Sequence, residues 1–193
     1  MGTTNIEKYL ESFAKQVVVD ARKNLAASKG DTELAKTISF KTVSTSEGID
    51  IQFLMAEYGS YVDKGVKGKG GVIPNGKYKG NHGGRRWFIN WKGKRQDSPF
   101  QFGTGSGPKG GLTKALDKWI VKKGIAPRNE KGEFMSRKSI KYLIARSIYI
   151  RGIHGISFFQ RALGENYNEF AIGFLKSLKD DILQSITVNK RDI

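Results

Sequence analysis

Few residues in this chain can do chemistry on their own. With no cysteine among 193 residues, disulfides, thiolate metal sites and thiol nucleophiles are excluded. The two histidines, His82 and His154, are each followed by glycine, and neither stands at metal-ligand spacing to a carboxylate pair. A Ser/His/Asp arrangement therefore has no credible members. Asp50, Glu57, Asp63 and Lys64 are the raw material for a nuclease-like cluster, which needs carboxylates converging on one divalent ion. Asp50 falls on the polar face of a predicted strand, and the plainer reading of all four is surface acids or subunit salt bridges. Gly105-Ser106-Gly107-Pro108-Lys109-Gly110 has the spacing of a dinucleotide fingerprint. That motif needs a βαβ unit and an acid about twenty residues later. Here Pro108 sits where amides must face phosphate, and the following helix leads to Pro127, so the segment reads as a connector. The expectation is a protein with no catalytic residues, no cofactor and no metal.

Charge is the stronger signal. The chain has 34 Lys/Arg against 18 Asp/Glu, a formal net charge of +16. Residues 1–63 hold nine acids and seven bases, and residues 164–193 hold five and four. Between Lys64 and Lys114 there are twelve bases and one acid, Asp97, in a glycine-rich stretch. A field this lopsided attracts polyanions. The candidate contacts are Lys64, Lys67, Lys69, Lys77, Lys79, Arg85, Arg86, Lys92, Lys94 and Arg95, facing DNA, an acidic protein surface, or solvent alone. Trp87, Trp91, Phe100 and Phe102 are interleaved with these bases. They can anchor a protein interface, close a small core of their own, or stack on unpaired nucleotides.

The elements that must carry these residues form an α+β pattern: a small antiparallel sheet packed by an N-terminal helix and C-terminal helices. Thr4 and Glu7 make a possible capping box for a helix over 4–28, whose apolar stripe is Ile6, Leu10, Phe13, Ala14, Val17, Ala21 and Leu25. A short helical turn begins near Asp31. Strands over 37–44 and 48–55 make a hairpin, with Ile49, Ile51, Phe53 and Met55 on one face and Val43 out of phase. Ala56 to Gly65 reads as an extended or irregular continuation. Residues 65–86 read as a long exposed loop too rich in Gly and Lys to hold a core. Strands at 87–91 and 99–102 would complete a projecting hairpin arm. Helices follow over 112–123 and 137–151, the second capped by Ser136 with Ile140, Leu143, Ile144 and Ile148 inward. A short helix at 158–163 precedes a last one over about 166–186. The organisation expected is one domain over 1–193 with an insertion arm at about 66–110. No stretch approaches the roughly 20 apolar residues that span a bilayer, and the polar start does not read as a signal peptide.

Four phrases in order resemble the tail-completion and head–tail joining proteins of tailed phages. Tyr58-Gly59-Ser60-Tyr61-Val62-Asp63-Lys64-Gly65 is similar to the family's tyrosine, aromatic, valine, acid, glycine signature. Leu116-Asp117-Lys118-Trp119-Ile120-Val121-Lys122-Lys123-Gly124-Ile125 resembles one of its helices. Leu143-Ile144-Ala145-Arg146-Ser147-Ile148 with Arg151-Gly152-Ile153 resembles the next. Ser157-Phe158-Phe159-Gln160-Arg161-Ala162-Leu163 resembles the turn into its closing helix, with Ser157 where the family has proline. The glycine- and lysine-rich stretch 66–110 is longer than the family's loop. The resemblance implies a structural virion protein at the neck, made in the host cytoplasm and assembled as a homo-oligomeric ring against portal, connector or tail proteins. Non-specific contact with genomic DNA would accompany it, with no membrane partner. The alternative is a sequence-independent nucleic-acid-binding protein working through residues 64–114.

Overall fold

The apolar stripe of the first helix organises the larger part of the molecule. The computed structural model describes residues 4–29, 32–45, 48–74, 79–84, 86–103, 111–129 and 131–189. The chain forms an α+β fold of helices and two-stranded sheets, divided into two compact units. The first comprises Met1–Asp63, Ile89–Gln96 and Ile156–Ile193; the second comprises Lys64–Phe88 and Asp97–Gly155. Residues 66–110 thus contribute to both units. Among the described residues, no helix is long and apolar enough to cross a membrane.

In the first unit, α1 (Asn5–Lys29) starts on the capping box: Glu7 Oε2 accepts from the Thr4 amide at 3.0 Å, and Thr4 Oγ1 accepts from the Glu7 amide at 3.2 Å. Its buried stripe is Leu10, Ala14, Val17, Val18, Ala21 and Leu25. This stripe lies antiparallel along the last helix (Phe158–Asn189; α6 in chain order). Asn24 Nδ2 donates to the Phe158 carbonyl at 3.3 Å, and the Tyr9 hydroxyl donates to the Phe170 carbonyl at 3.1 Å. The Asn5 and Ile6 amides donate to the Asp181 carboxylate at 2.8 and 3.0 Å. The last helix is one continuous element where two were expected. Gly164 does not break it; a Cβ there would collide with the Trp91 carbonyl, so the glycine admits close approach.

After α2 (Glu33–Thr37), β1 (Ser39–Thr45) and β2 (Gly48–Leu54) pair in register from Ser39↔Leu54 to Thr45↔Gly48. The cross-strand pair Phe40 and Phe53 packs on a core that includes Ile38 and Phe158, both fully buried. The stretch expected to be extended is instead α3 (Gly59–Lys64). Tyr61 and Val62 amides both donate to the Tyr58 carbonyl at 3.1 Å. Gly59 lets this turn settle against Met55 and Leu34, where a side chain would not fit, and Val62 then reaches the core.

In the second unit, β3 (Gly65–Lys67) pairs with a strand at Gly152–His154 (β8), and β4 (Gly71–Ile73) pairs with β5 (Gly80–His82), both antiparallel. β6 (Trp87–Ile89) pairs with β7 (Arg95–Asp97) as a hairpin of which Ile89–Gln96 belong to the first unit. The strand expected at 99–102 reduces to a bridge between Gln101 and Lys67. The reason is the turn: Asn90 Oδ1 accepts from the Lys92 and Lys94 amides and closes the hairpin early. α4 (Gly111–Lys122) packs on α5 (Arg137–Arg151) through Leu116, Ile120, Ile140 and Ala145. Ser136 caps α5 as read from the sequence, its Oγ accepting from the Ser139 amide at 3.2 Å. Leu143, expected inward, is 48% exposed.

The expectation that residues 65–86 hold no core is also corrected. Val66, Ile73 and, just beyond, Phe88 are buried. The glycines pack backbone on backbone: a Cβ on Gly68 would collide with the Ile150 carbonyl, and one on Gly65 with the Ile153 carbonyl. Compositional flexibility is here spent on proximity.

Gly68→Ala should therefore destabilise the protein by about 1–3 kcal/mol. Gly83→Ala, where nothing lies within 4 Å of the new Cβ, should stay within about 0.5 kcal/mol of wild type. Equal urea midpoints for the two variants would contradict this reading of the glycines. A second outcome concerns pH. The Asp181 carboxyl is held below its ordinary value, chiefly by the Ile6 amide and then by Asn5 and Lys8, with burial opposing. A depressed folded-state pKa means the contribution is present above the ordinary carboxylate value and lost as pH falls through the folded one. The stability gap between wild type and Asp181→Asn should thus be full at neutral pH and close below about pH 4, measured by urea denaturation from pH 7 to pH 3.

Candidate polyanion interface

Two local constructions position the candidate residues. The first joins the signature segment to the head of α6, within the first unit. The Ile156 amide donates to the Val62 carbonyl at 3.1 Å, and the Ser157 amide to the Asp63 carbonyl at 2.9 Å. Asp63, only 2% exposed, accepts the Phe159 amide on Oδ1 at 2.9 Å. A carboxylate there satisfies an otherwise orphaned amide and meets the positive end of the helix dipole. Ser157 has φ of 55°, the one described non-glycine residue with positive φ. Proline, locked near −65°, cannot take that conformation and has no N–H to give Asp63. A proline at position 157 would not fit this turn. The Ser157 Oγ also accepts the Ile89 amide at 2.9 Å, docking the hairpin tip.

The second construction is electrostatic. Nineteen of the 34 bases but only four of the 18 acids fall in the second unit, so nearly all the net charge resides there. Two of those acids are already paired, Asp97 with Lys67 at 3.5 Å and Asp117 with Lys141 at 3.1 Å. Burial, and then the nearby Arg151 charge, push the Arg86 guanidinium below its ordinary value. An incoming anion would relieve that repulsion.

The sequence-derived contacts do not form one set. Lys64, Lys67, Lys69, Lys79 and Arg86 lie in the second unit, with Lys69 and Lys79 exposed and the other three half-buried. Lys92, Lys94 and Arg95 are exposed at the hairpin tip in the first unit. Lys77 and Arg85 lie outside the described residues, as does the Gly105–Gly110 connector. The four aromatics are half-buried. Trp87 meets His154 edge-on at 4.4 Å, Trp91 meets Tyr167 at 4.8 Å, and Phe102 lies 6.1 Å from Tyr149. The Phe100 carbonyl accepts the Lys67 amide at 2.7 Å. Each is engaged within its own unit. A cleft of about 590 Å³ beside Trp91 brings Lys92 and Arg161 near Glu165 and Tyr167. The Arg161 guanidinium is held by the Ile156 and Ser157 carbonyls.

The nuclease-like cluster does not assemble. Asp63 is committed to Phe159, whereas Asp50 and Glu57 are exposed. Sequence reasoning missed the capping role of Asp63 and the left-handed Ser157, because neither follows from spacing. Comparison with models of known protein families, with curated proteins and with solved structures finds no match to this chain.

Asp63→Ala should cost about 1–3 kcal/mol through the unsatisfied Phe159 amide. Ser157→Pro should cost about 3 kcal/mol or more. Thermal or urea denaturation measures both, and a proline variant as stable as wild type would rule out the left-handed turn at residue 157.

Proposed function

We propose that this protein is a structural virion subunit of a tailed phage, a ring-forming head–tail connector or tail-completion protein, and not an enzyme. The observation that carries the reading is the junction at Asp63. The signature segment and the phenylalanine turn, matched separately in sequence, meet through three hydrogen bonds at the head of the closing helix. Two phrases that resemble one family's motifs and also hold each other in place are better evidence than either alone. The helix–hairpin–signature–helices–closing-helix order supports the same conclusion. The second unit's charge supports contact with a polyanion, either the genome in transit or the acidic face of a neighbouring ring; backbone phosphates can be met without reading sequence. Portal, connector or tail proteins are the partners this role requires, and the virion neck is its place. The same charge favours the second reading, a sequence-independent nucleic-acid-binding protein.

Light scattering after size exclusion, with negative-stain images of the same fractions, tests the choice. A closed ring of defined mass is the expected result. A monomer at all concentrations that still binds DNA would favour the second reading. A monomer that binds nothing would refute both. Changing Lys64, Lys67, Lys69, Lys79 and Arg86 together to Gln should leave the ring intact while weakening DNA binding or head–tail joining.

A further inference from the structure

The exposed face of α5 carries a stripe that none of the sequence-derived contacts includes. Lys138, Tyr142, Arg146 and Tyr149 follow one another at four-, four- and three-residue steps, the spacing of one helix face. Tyr142 is 57% and Tyr149 39% exposed, and Lys138 and Arg146 are exposed as well. Large aromatics left open on a surface signal an interaction site more often than scattered aliphatics do. The stripe offers two cations and two phenolic hydroxyls, each able to donate. Arg146 Nη1 donates to the Tyr142 hydroxyl oxygen at 3.1 Å, which leaves the Tyr142 O–H proton free to donate outward. At the C-terminal end, the Lys69 amide donates to the Tyr149 carbonyl at 2.8 Å, bringing an exposed lysine from a distant part of the sequence onto the end of the stripe.

Helix stability does not explain these cations. The first turn of α5 has Arg137 and Lys138 and no acid, whereas the helix dipole favours acids there. No ion pair joins Lys138 or Arg146 to another described residue. A row of donors with fixed spacing, on the unit that holds nearly all the net charge, is complementary to a row of phosphate oxygens. From Lys138 to Tyr149 the helix rises about 16 Å. Over that length one strand of duplex DNA presents about five phosphates at 3.4 Å of axis each.

We propose that this face of α5, extended by Lys69, is a track for the phosphate backbone of duplex DNA. The proposal rests on the reading that the second unit meets a polyanion, and it moves the contact from the glycine-rich segment to α5. Arg146 ties the Tyr142 hydroxyl and presents its tip, which suits phosphate contact better than base stacking.

The test is fluorescence anisotropy of the full-length protein with a labelled duplex of arbitrary sequence, about 30 base pairs long, over a salt series. Lys138→Gln with Arg146→Gln should flatten the log–log salt slope by about 1.8, at −0.9 per lost phosphate contact. Tyr142→Phe should weaken binding about three- to tenfold. Lys176→Gln with Lys179→Gln, cations of the first unit, should change neither slope nor affinity. Lys138→Glu separates binding from folding: it should raise the melting temperature through the helix dipole while weakening DNA binding. If wild type binds duplex and the α5 double variant keeps its slope, the track is refuted while the polyanion reading stands. Failure of wild type to bind duplex at low salt refutes the track and the genome branch of the polyanion reading, and leaves only the acidic face of a neighbouring ring. Tighter binding to an oligothymidine strand than to duplex, untouched by Tyr142→Phe, refutes the assignment to duplex phosphates.

Discussion

One buried carboxylate holds the first unit to its own plan. Asp63, in the last turn of α3, caps the head of α6 through the Phe159 amide, and through its carbonyl fixes the Ser157 amide. With the Val62–Ile156 bond beside them, these contacts decide where α6 begins and in which direction it leaves the turn. α1 can lay its stripe along α6 only because that direction is set. The Ser157 hydroxyl then fixes Ile89, so one short turn sets the positions of three elements from separate parts of the chain.

The second unit is governed by a different constraint. Its backbone segments come so close that Gly65, Gly68, Gly84 and Gly152 leave no room for a side chain. Charge can be concentrated here because backbone contact and a compact apolar cluster between α4 and α5 supply the cohesion. The lysines are then left to the surface. A fold held by long charged side chains paired with acids would have had to give up the field that makes it attractive to a polyanion.

What could be read in advance follows from how local each signal is. The α5 boundaries, the Ser136 cap, the α1 capping box and the register face of β2 are set by residues within a few positions of each other, and all were legible. The α3 helix was not, because its formation depends on Gly59 nesting against Met55 and Leu34. The single α6 was not, because its continuity across Gly164 goes with a close approach of the Trp91 carbonyl that spacing does not show. The glycine-rich stretch misleads for the same reason: composition reports freedom in the unfolded chain and is silent on which backbones must touch. At the candidate interface, the charge excess was legible, but its separation into one unit was not. The α5 stripe was within reach, since its helix was correctly bounded and its exposed positions needed only to be read at helical spacing.

The first unit is discontinuous, and its core depends on both ends. Leu25 near the start of the chain shares a cluster with Phe158 and Ala162. A ribosome adding about 5–20 residues per second needs roughly 7–27 s to travel from the first of these to Phe158. Throughout that interval α1 has exposed its apolar stripe without the helix that covers it, while most of the intervening residues belong to the second unit. The second unit is the part whose chain is complete first, and closure of α1 onto α6 is the late, long-range step. Synthesis therefore leaves an amphipathic stripe waiting for its cover, an interval of exposed apolar surface that the finished form conceals.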